Sequence, residues 1–225
     1  MGFMLEKVVP WGRSFEEYCA MFALTQNDLA KRILGVGDGP ASFNAELTRR
    51  GGKVVSADPL YQFSAEEIKR RIEDTYDKVI SEVEKNQEAF VWKNIKSVED
   101  LGNIRMAAME KFLADYPNEN ERYQNAKLPN LPFADKSFEL ALCSHFLFLY
   151  SPHHDFEFHL ESVAELCRVA HEVRIFPLVA FSNARSHHLD GVLHALQESS
   201  FHCKIEPVAY EFQKGGNEML RIQTV

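Results

Sequence analysis

Two glycines and an aspartate have the spacing of a nucleoside site. The segment ILGVGDGPASF, Ile33 to Phe43, sets Gly37 and Gly39 at the end of a short apolar run. A second run, Lys53–Ala57, closes on Asp58 about twenty residues later. A ligand that packs against a strand-to-helix turn needs residues without a Cβ there, and the helix that follows offers unpaired N–H groups. An acidic side chain at the end of the second strand can accept hydrogen bonds from both ribose hydroxyls. Farther along, His145 closes another apolar run. There an imidazole that titrates near neutrality can take a proton from a substrate hydroxyl or amine, or it can be a hydrogen-bonded core residue. Arg174 and Arg185 flank a fifth strand, where a guanidinium would grip an anionic substrate or close a surface ion pair. Tyr61, Tyr150 and Trp92 would line a substrate pocket or the core. The pairs His153-His154 and His187-His188 would diverge in direction, so no metal site is expected.

Positioning these groups requires alternating strands and helices. Ser14 with Glu17 three residues on caps a helix to Leu24. Strand Ile33–Val36, helix Ser42–Arg50 and strand Lys53–Ala57 then make a βαβ unit with parallel strands. From about residue 64 to 122 only helical periodicity is present, with one stripe from Ile68 to Val83 and another from Val98 to Phe112. A connection of that length in a βα unit is an insertion, and a lid over a pocket would explain it. The alternation resumes with strand Phe138–Cys143, helix Phe156–Val169, strand Glu172–Phe181 and helix His187–Glu198. A hairpin closes the chain, Cys203–Phe212 and Glu218–Gln223, around Lys214-Gly215-Gly216.

Two cofactor families use such a glycine turn. A nicotinamide site has the pattern G-x-G-x-x-G, but the third position is Pro40 counted from Gly35 and Ser42 counted from Gly37, which disfavours an NAD(P)-dependent oxidoreductase. The stretch Gly35 to Ala41 instead resembles the first motif of class I S-adenosylmethionine-dependent methyltransferases. LPFADKSFELALCSHF, Leu131 to Phe146, is similar to that family's lead into its fourth strand, and the closing hairpin resembles its last two strands. The resemblance covers Ser14–Phe63 and Tyr123–Val225.

It implies one α/β domain over residues 1–225, Rossmann-like and doubly wound. The sheet would be mainly parallel and seven-stranded with an antiparallel last strand, and the domain would carry an N-terminal capping helix at about 14–24 and a helical insertion at about 64–122. It implies S-adenosylmethionine as cofactor. Gly35, Gly37, Asp38, Gly39 and Pro40 would lie at the methionine moiety, Asp58 and Pro59 at the ribose, and Asn125 and Ala126 at the adenine. Ser144 and His145 would face cofactor and substrate, with Trp11, Arg13 and Tyr18 covering the site. Gly35 stands where the family often carries the acid that contacts the cofactor's amino group, so that contact must come from water or another side chain. Asp58-Pro59-Leu60-Tyr61 looks like the Asp-Pro-Pro-Tyr motif of amino-group methyltransferases, but it follows the second strand rather than the fourth. Asp58 is therefore read as the ribose ligand, and the absence of such a motif after the fourth strand argues against DNA base methylation.

Composition narrows the acceptor. A formal net charge of −8 argues against coating a phosphate backbone. The four cysteines are scattered, which suits a reducing compartment, and the N-terminus lacks the pattern of a signal peptide. No apolar run is long enough to span a bilayer. The expectation is a cytoplasmic methyltransferase with a small-molecule acceptor, His145 as candidate base, and Tyr61, Tyr150 and Arg174 at the substrate. The alternative is a module that binds the cofactor or a nucleoside without turnover. Oligomeric state is left open.

Overall fold

The computed structural model describes residues 9–118, 121–199 and 201–224. The signal-peptide reading falls mainly on Met1–Val8, outside the described residues. Helix α1 (Phe15–Met21) opens with the expected capping box. Ser14 Oγ accepts the Glu17 N–H at 3.2 Å, and the Glu17 carboxylate accepts the Ser14 N–H at 2.9 Å. It ends three residues before Leu24, where the backbone turns at Ala23 (φ +47) into a second short helix, α2 (Gln26–Leu29), capped in the same way by Thr25 and Asp28.

Strand β1 (Arg32–Val36), helix α3 (Phe43–Arg49) and strand β2 (Lys53–Ala57) follow, with β1 and β2 parallel. Two long helices, α4 (Ala65–Lys85) and α5 (Val98–Asp115), fill the stretch before the two-residue strand β3 (Tyr123–Gln124). The rest is β4 (Phe138–Ser144), α6 (Phe156–Val169), β5 (Ala170–Phe176), α7 (Leu189–Glu198), β6 (His202–Pro207) and β7 (Glu218–Gln223). The strand order is β3-β2-β1-β4-β5-β7-β6, parallel throughout except that β7 runs antiparallel to both its neighbours. A dinucleotide-binding sheet has the order 3-2-1-4-5-6, so this topology weighs against the nicotinamide reading as well.

The period-2 alternation of buried strands divides the core. Leu140 and Leu142 of β4 pack on the face that holds α1 and α3, while Ala141 and Cys143 pack on the face that holds α6 and α7. Two expected strands are shorter than their apolar patterns. β5 stops at Phe176 instead of Phe181, because Pro177 has no N–H to continue the ladder. β6 stops at Pro207, and residues 208–217 form a loop rather than the end of a hairpin arm. That loop is stitched to the connection between α4 and α5: the Val91 N–H donates to the Phe212 carbonyl at 2.7 Å, and the Lys214 N–H donates to the Ala89 carbonyl at 3.0 Å. The Phe90 and Phe212 rings stack with their centroids 4.8 Å apart. Among the described residues no helix is long and apolar enough to cross a membrane.

Candidate functional site

The turn after β1 carries both glycines in left-handed backbone, Gly37 at φ +71 and Gly39 at φ +51. Asp58, at the end of β2, holds the turn from the other side. Its Oδ2 accepts the Gly39 N–H at 2.9 Å and its Oδ1 accepts the Leu60 N–H at 2.8 Å. Each of these oxygens has a second lone pair. Burial raises the Asp58 pKa, while the two backbone donors act against the rise.

Position 35 answers the question left by the motif. A Cβ built on Gly35 would lie 1.9 Å from Asp38 Oδ2. The Asp38 carboxylate therefore fills the space that a side chain at 35 would need. The Tyr18 hydroxyl donates to Asp38 Oδ1 at 2.7 Å and the Ser56 hydroxyl donates to Oδ2 at 2.6 Å. Asp38 is only 6% exposed. Burial, with Asp58 nearby, pushes its pKa up to about 6 in spite of those two donors.

These groups open onto a cavity of about 430 Å³, within the range of small-molecule sites. Gly37, Asp38, Gly39, Pro40, Asp58, Pro59, Ala126, Ser144, His145 and Tyr150 all line it. Beyond the glycine turn the wall becomes apolar and aromatic. Val79 and Val83 of α4, Leu101 of α5, and Phe90, Phe181 and Phe212 from loops form this part.

His145 follows β4 with φ +49, and its N–H donates to the Phe176 carbonyl at 2.7 Å. Its Nδ1 lies 3.1 Å from Ser144 Oγ. Burial first, then the charges of Arg13 and Arg105, hold its pKa well below the usual imidazole value. Burial pushes the Tyr150 phenol up to about 12.

Four expected site residues stand elsewhere. Gly35 lies under the Asp38 carboxylate, as described. Asn125 lines a neighbouring depression with Gln62 and Asn130 instead of the main cavity. The Tyr61 hydroxyl donates to the Gly39 carbonyl at 2.7 Å, and its ring packs among Phe112, Tyr116 and Tyr123, so it props the glycine turn from behind. Arg174 is 3% exposed and engaged internally, with Nε on Glu172 at 2.6 Å, Nη1 on the Phe22 carbonyl at 2.7 Å and Nη2 on Asp28 at 3.1 Å. An arginine on a sheet face under α1 and α2 is covered by them and is not available to a ligand.

Sequence reasoning missed a buried network beside the cavity. Arg105 of α5, fully buried, donates to Glu17 Oε2 at 2.5 Å, and the Tyr210 hydroxyl donates to Glu17 Oε1 at 2.8 Å. The available signal was Arg105 standing within the apolar stripe from Leu101 to Phe112.

No protein-family model matches the chain. Two structures of magnesium protoporphyrin IX methyltransferase (ChlM) from Synechocystis PCC 6803 share its fold. The one with bound SAM has a TM-score of 0.50 at 13% identity, covering 94% of this chain and 78% of that one. The one with bound SAH has a TM-score of 0.50 at 11% identity, covering 94% and 82%. By sequence, the chain is 34% identical over 222 residues, 97% of each protein, to "Uncharacterized protein MJ0045" of Methanocaldococcus jannaschii. The chain therefore belongs to the family of that archaeal protein, and its fold is that of the class I S-adenosylmethionine-dependent methyltransferases.

Proposed function

We propose that the chain is an S-adenosylmethionine-dependent methyltransferase acting on a small, largely apolar acceptor. The observation that carries this reading is the pair of carboxylates facing one glycine turn, Asp38 deep and Asp58 at the strand end. Their placement fits the two polar ends of an adenosylated amino acid. Asp58 keeps one free lone pair on each oxygen for the two ribose hydroxyls, and Asp38 offers a desolvated anion to an ammonium. The space over Gly35 supports this fit, because the acid that the motif lacks at that position is supplied from Asp38. Ala126 borders the same end of the cavity and would pack on the adenine.

Bound S-adenosylmethionine supplies an activated methyl group for in-line displacement, so the protein's task is alignment, exclusion of water and, where needed, removal of a proton. The chamber beyond the glycine turn suits an apolar acceptor, and side chains of α4, α5 and the loop carrying Phe212 line it. His145 is held neutral by burial and by the neighbouring arginines, so a ring nitrogen can accept a hydrogen bond from the attacking group and orient it. Tyr150 keeps its proton and acts as a donor that orients the acceptor. The net charge of −8 disfavours a nucleic-acid acceptor.

Isothermal titration with S-adenosylmethionine, S-adenosylhomocysteine and NAD tests the cofactor. Binding of both adenosyl ligands without NAD is expected. Binding of NAD alone, or of none of the three by folded protein, overturns the reading.

A further inference from the structure

The cavity runs along the carboxyl edge of the sheet, and its two halves differ in chemistry. The glycine turn after β1, Asp58 after β2 and Ala126 after β3 line one half, and the loops after β5 and before β7 line the other. In the order β1-β4-β5-β7, at ~5 Å per strand, those loops start ~10–15 Å from the glycine turn. The charged side chains at the cavity, Arg13, Asp38, Asp58, Arg71 and Lys127, all come from other segments. Of these, Arg13 is the one whose charge Tyr210 feels.

The two loops bring three polar side chains to the cavity, Asn183, Tyr210 and Gln213. The Tyr210 hydroxyl is engaged by Glu17, as described. Gln213 Nε2 donates to the Ala180 carbonyl at 2.6 Å and to Asn183 Oδ1 at 2.8 Å, and Asn183 Nδ2 donates to the Ala89 carbonyl at 2.8 Å. A backbone carbonyl can only accept, so Ala180 and Ala89 fix which end of each amide is nitrogen. Flipping either amide would set oxygen against oxygen.

The Gln213 amide oxygen is then the one side-chain nitrogen or oxygen of the three residues that no described residue bonds, and it is solvent-accessible. Its nitrogen is tied twice, so the oxygen is held in place before a ligand arrives, and little further ordering is needed to use it. The wall beside it is apolar: Phe212, the preceding residue, packs with Val79, Val83 and Leu101. An acceptor oxygen in such a wall favours a ligand that brings an N–H or O–H to it and disfavours the analogue that leaves it unpaired.

We infer that Gln213, locked by Ala180 and Asn183, is a specificity-determining residue whose amide oxygen selects an uncharged, largely apolar acceptor carrying a hydroxyl or N–H group at the end away from the reacting atom. The inference rests on the methyltransferase reading for the ligand's role as methyl acceptor, and on Gln213 alone for the group that is read.

The test titrates 2,6-dihydroxynaphthalene and 2-naphthol into protein saturated with S-adenosylhomocysteine. The two share one apolar body and differ by the distal hydroxyl, so the ratio of their affinities reads the contact at the far end. Wild type is expected to favour the diol about five- to tenfold, the range for a neutral hydrogen bond, and Gln213→Met to bring the ratio within about twofold. Asn183→Gly suits the left-handed backbone at 183 (φ +63) and cuts the tie to Ala89, but Ala180 still orients Gln213, so the ratio is retained. In wild type the side-chain amide resonances of Gln213 shift with the diol and not with 2-naphthol, a readout that stands even if Gln213→Met fails to fold.

A purely structural glutamine would lower both affinities together in Gln213→Met and leave their ratio unchanged, and that result overturns the inference. So does a wild-type ratio within about twofold, or no binding of either naphthol. Failure of wild type to bind S-adenosylhomocysteine overturns the methyltransferase reading instead, and the same two naphthols titrated into free protein then test Gln213 by itself.

Discussion

Replacing Asp38 with asparagine should move stability and ligand binding in opposite directions. The carboxyl has a pKa of about 6 in the folded protein against an ordinary 3.8. The folded state therefore holds this proton more tightly than the unfolded chain. The contribution of Asp38 to stability is full below about pH 4 and is lost as pH climbs through about 6. At 1.36 kcal/mol per pH unit the buried anion costs roughly 3 kcal/mol near pH 7.5. Asparagine keeps an oxygen for the Tyr18 hydroxyl and removes the charge. Asp38→Asn should be about 1–3 kcal/mol more stable than wild type at pH 7.5, with the advantage gone near pH 4, as measured by urea unfolding across that range.

Calorimetry should show the reverse for S-adenosylhomocysteine. Loss of a charged hydrogen bond of about 1.5–3 kcal/mol weakens binding roughly ten- to a hundredfold. Wild-type affinity should also fall up to about tenfold per pH unit below pH 6, while that of the variant stays flat. A variant that is less stable at pH 7.5 and binds as well as wild type would refute the reasoning. Asp38 would then be a hydrogen-bond hub for Tyr18 and Ser56 and not a receptor for an ammonium.

Other substitutions probe the neighbouring groups. Asp58→Ala should weaken adenosine and S-adenosylhomocysteine by the same factor, about 1.5–3 kcal/mol in calorimetry, because both present the same ribose; a loss confined to S-adenosylhomocysteine would move Asp58 away from the ribose. Gly35→Ala forces a methyl into the Asp38 carboxylate, which Tyr18 and Ser56 hold in place. A loss of about 1–3 kcal/mol in urea unfolding is expected, and adding Asp38→Ala should restore stability without restoring binding. Glu17→Ala leaves the fully buried Arg105 without its counter-ion, and a fall of about 3–5 kcal/mol in unfolding free energy is expected. A fall below about 1 kcal/mol would mean that Arg105 finds water or another partner.

Much of the scaffold was legible from local pattern. The capping box at Ser14 and Glu17, the β2 boundaries, helix α6 and the two helical stripes between β2 and β3 all follow from spacings a few residues long, and such rules act within one element. The glycine turn followed by Asp58 was legible for the same reason, since a βαβ unit brings its two strand ends together through a short connection.

The site's charges were not legible, because each depends on residues far apart in the chain. Arg174 reads like an arginine that grips an anionic substrate or closes a surface ion pair, yet Glu172, Asp28 and the Phe22 carbonyl enclose it once α1 and α2 lie on the sheet. Tyr61 reads like a pocket aromatic, yet the rings of α5 and β3 draw it behind the glycine turn. Glu17, Arg105 and Tyr210 meet from three separate segments. By itself, then, the sequence determined the alternation of elements and the glycine and aspartate pair, which rest on local hydrogen bonding and hydrophobic period. Only the tertiary structure decided which charges are paired and that Asp38 stands over Gly35. Charge compensation is a property of neighbours in space, and burial sets how much each neighbour counts.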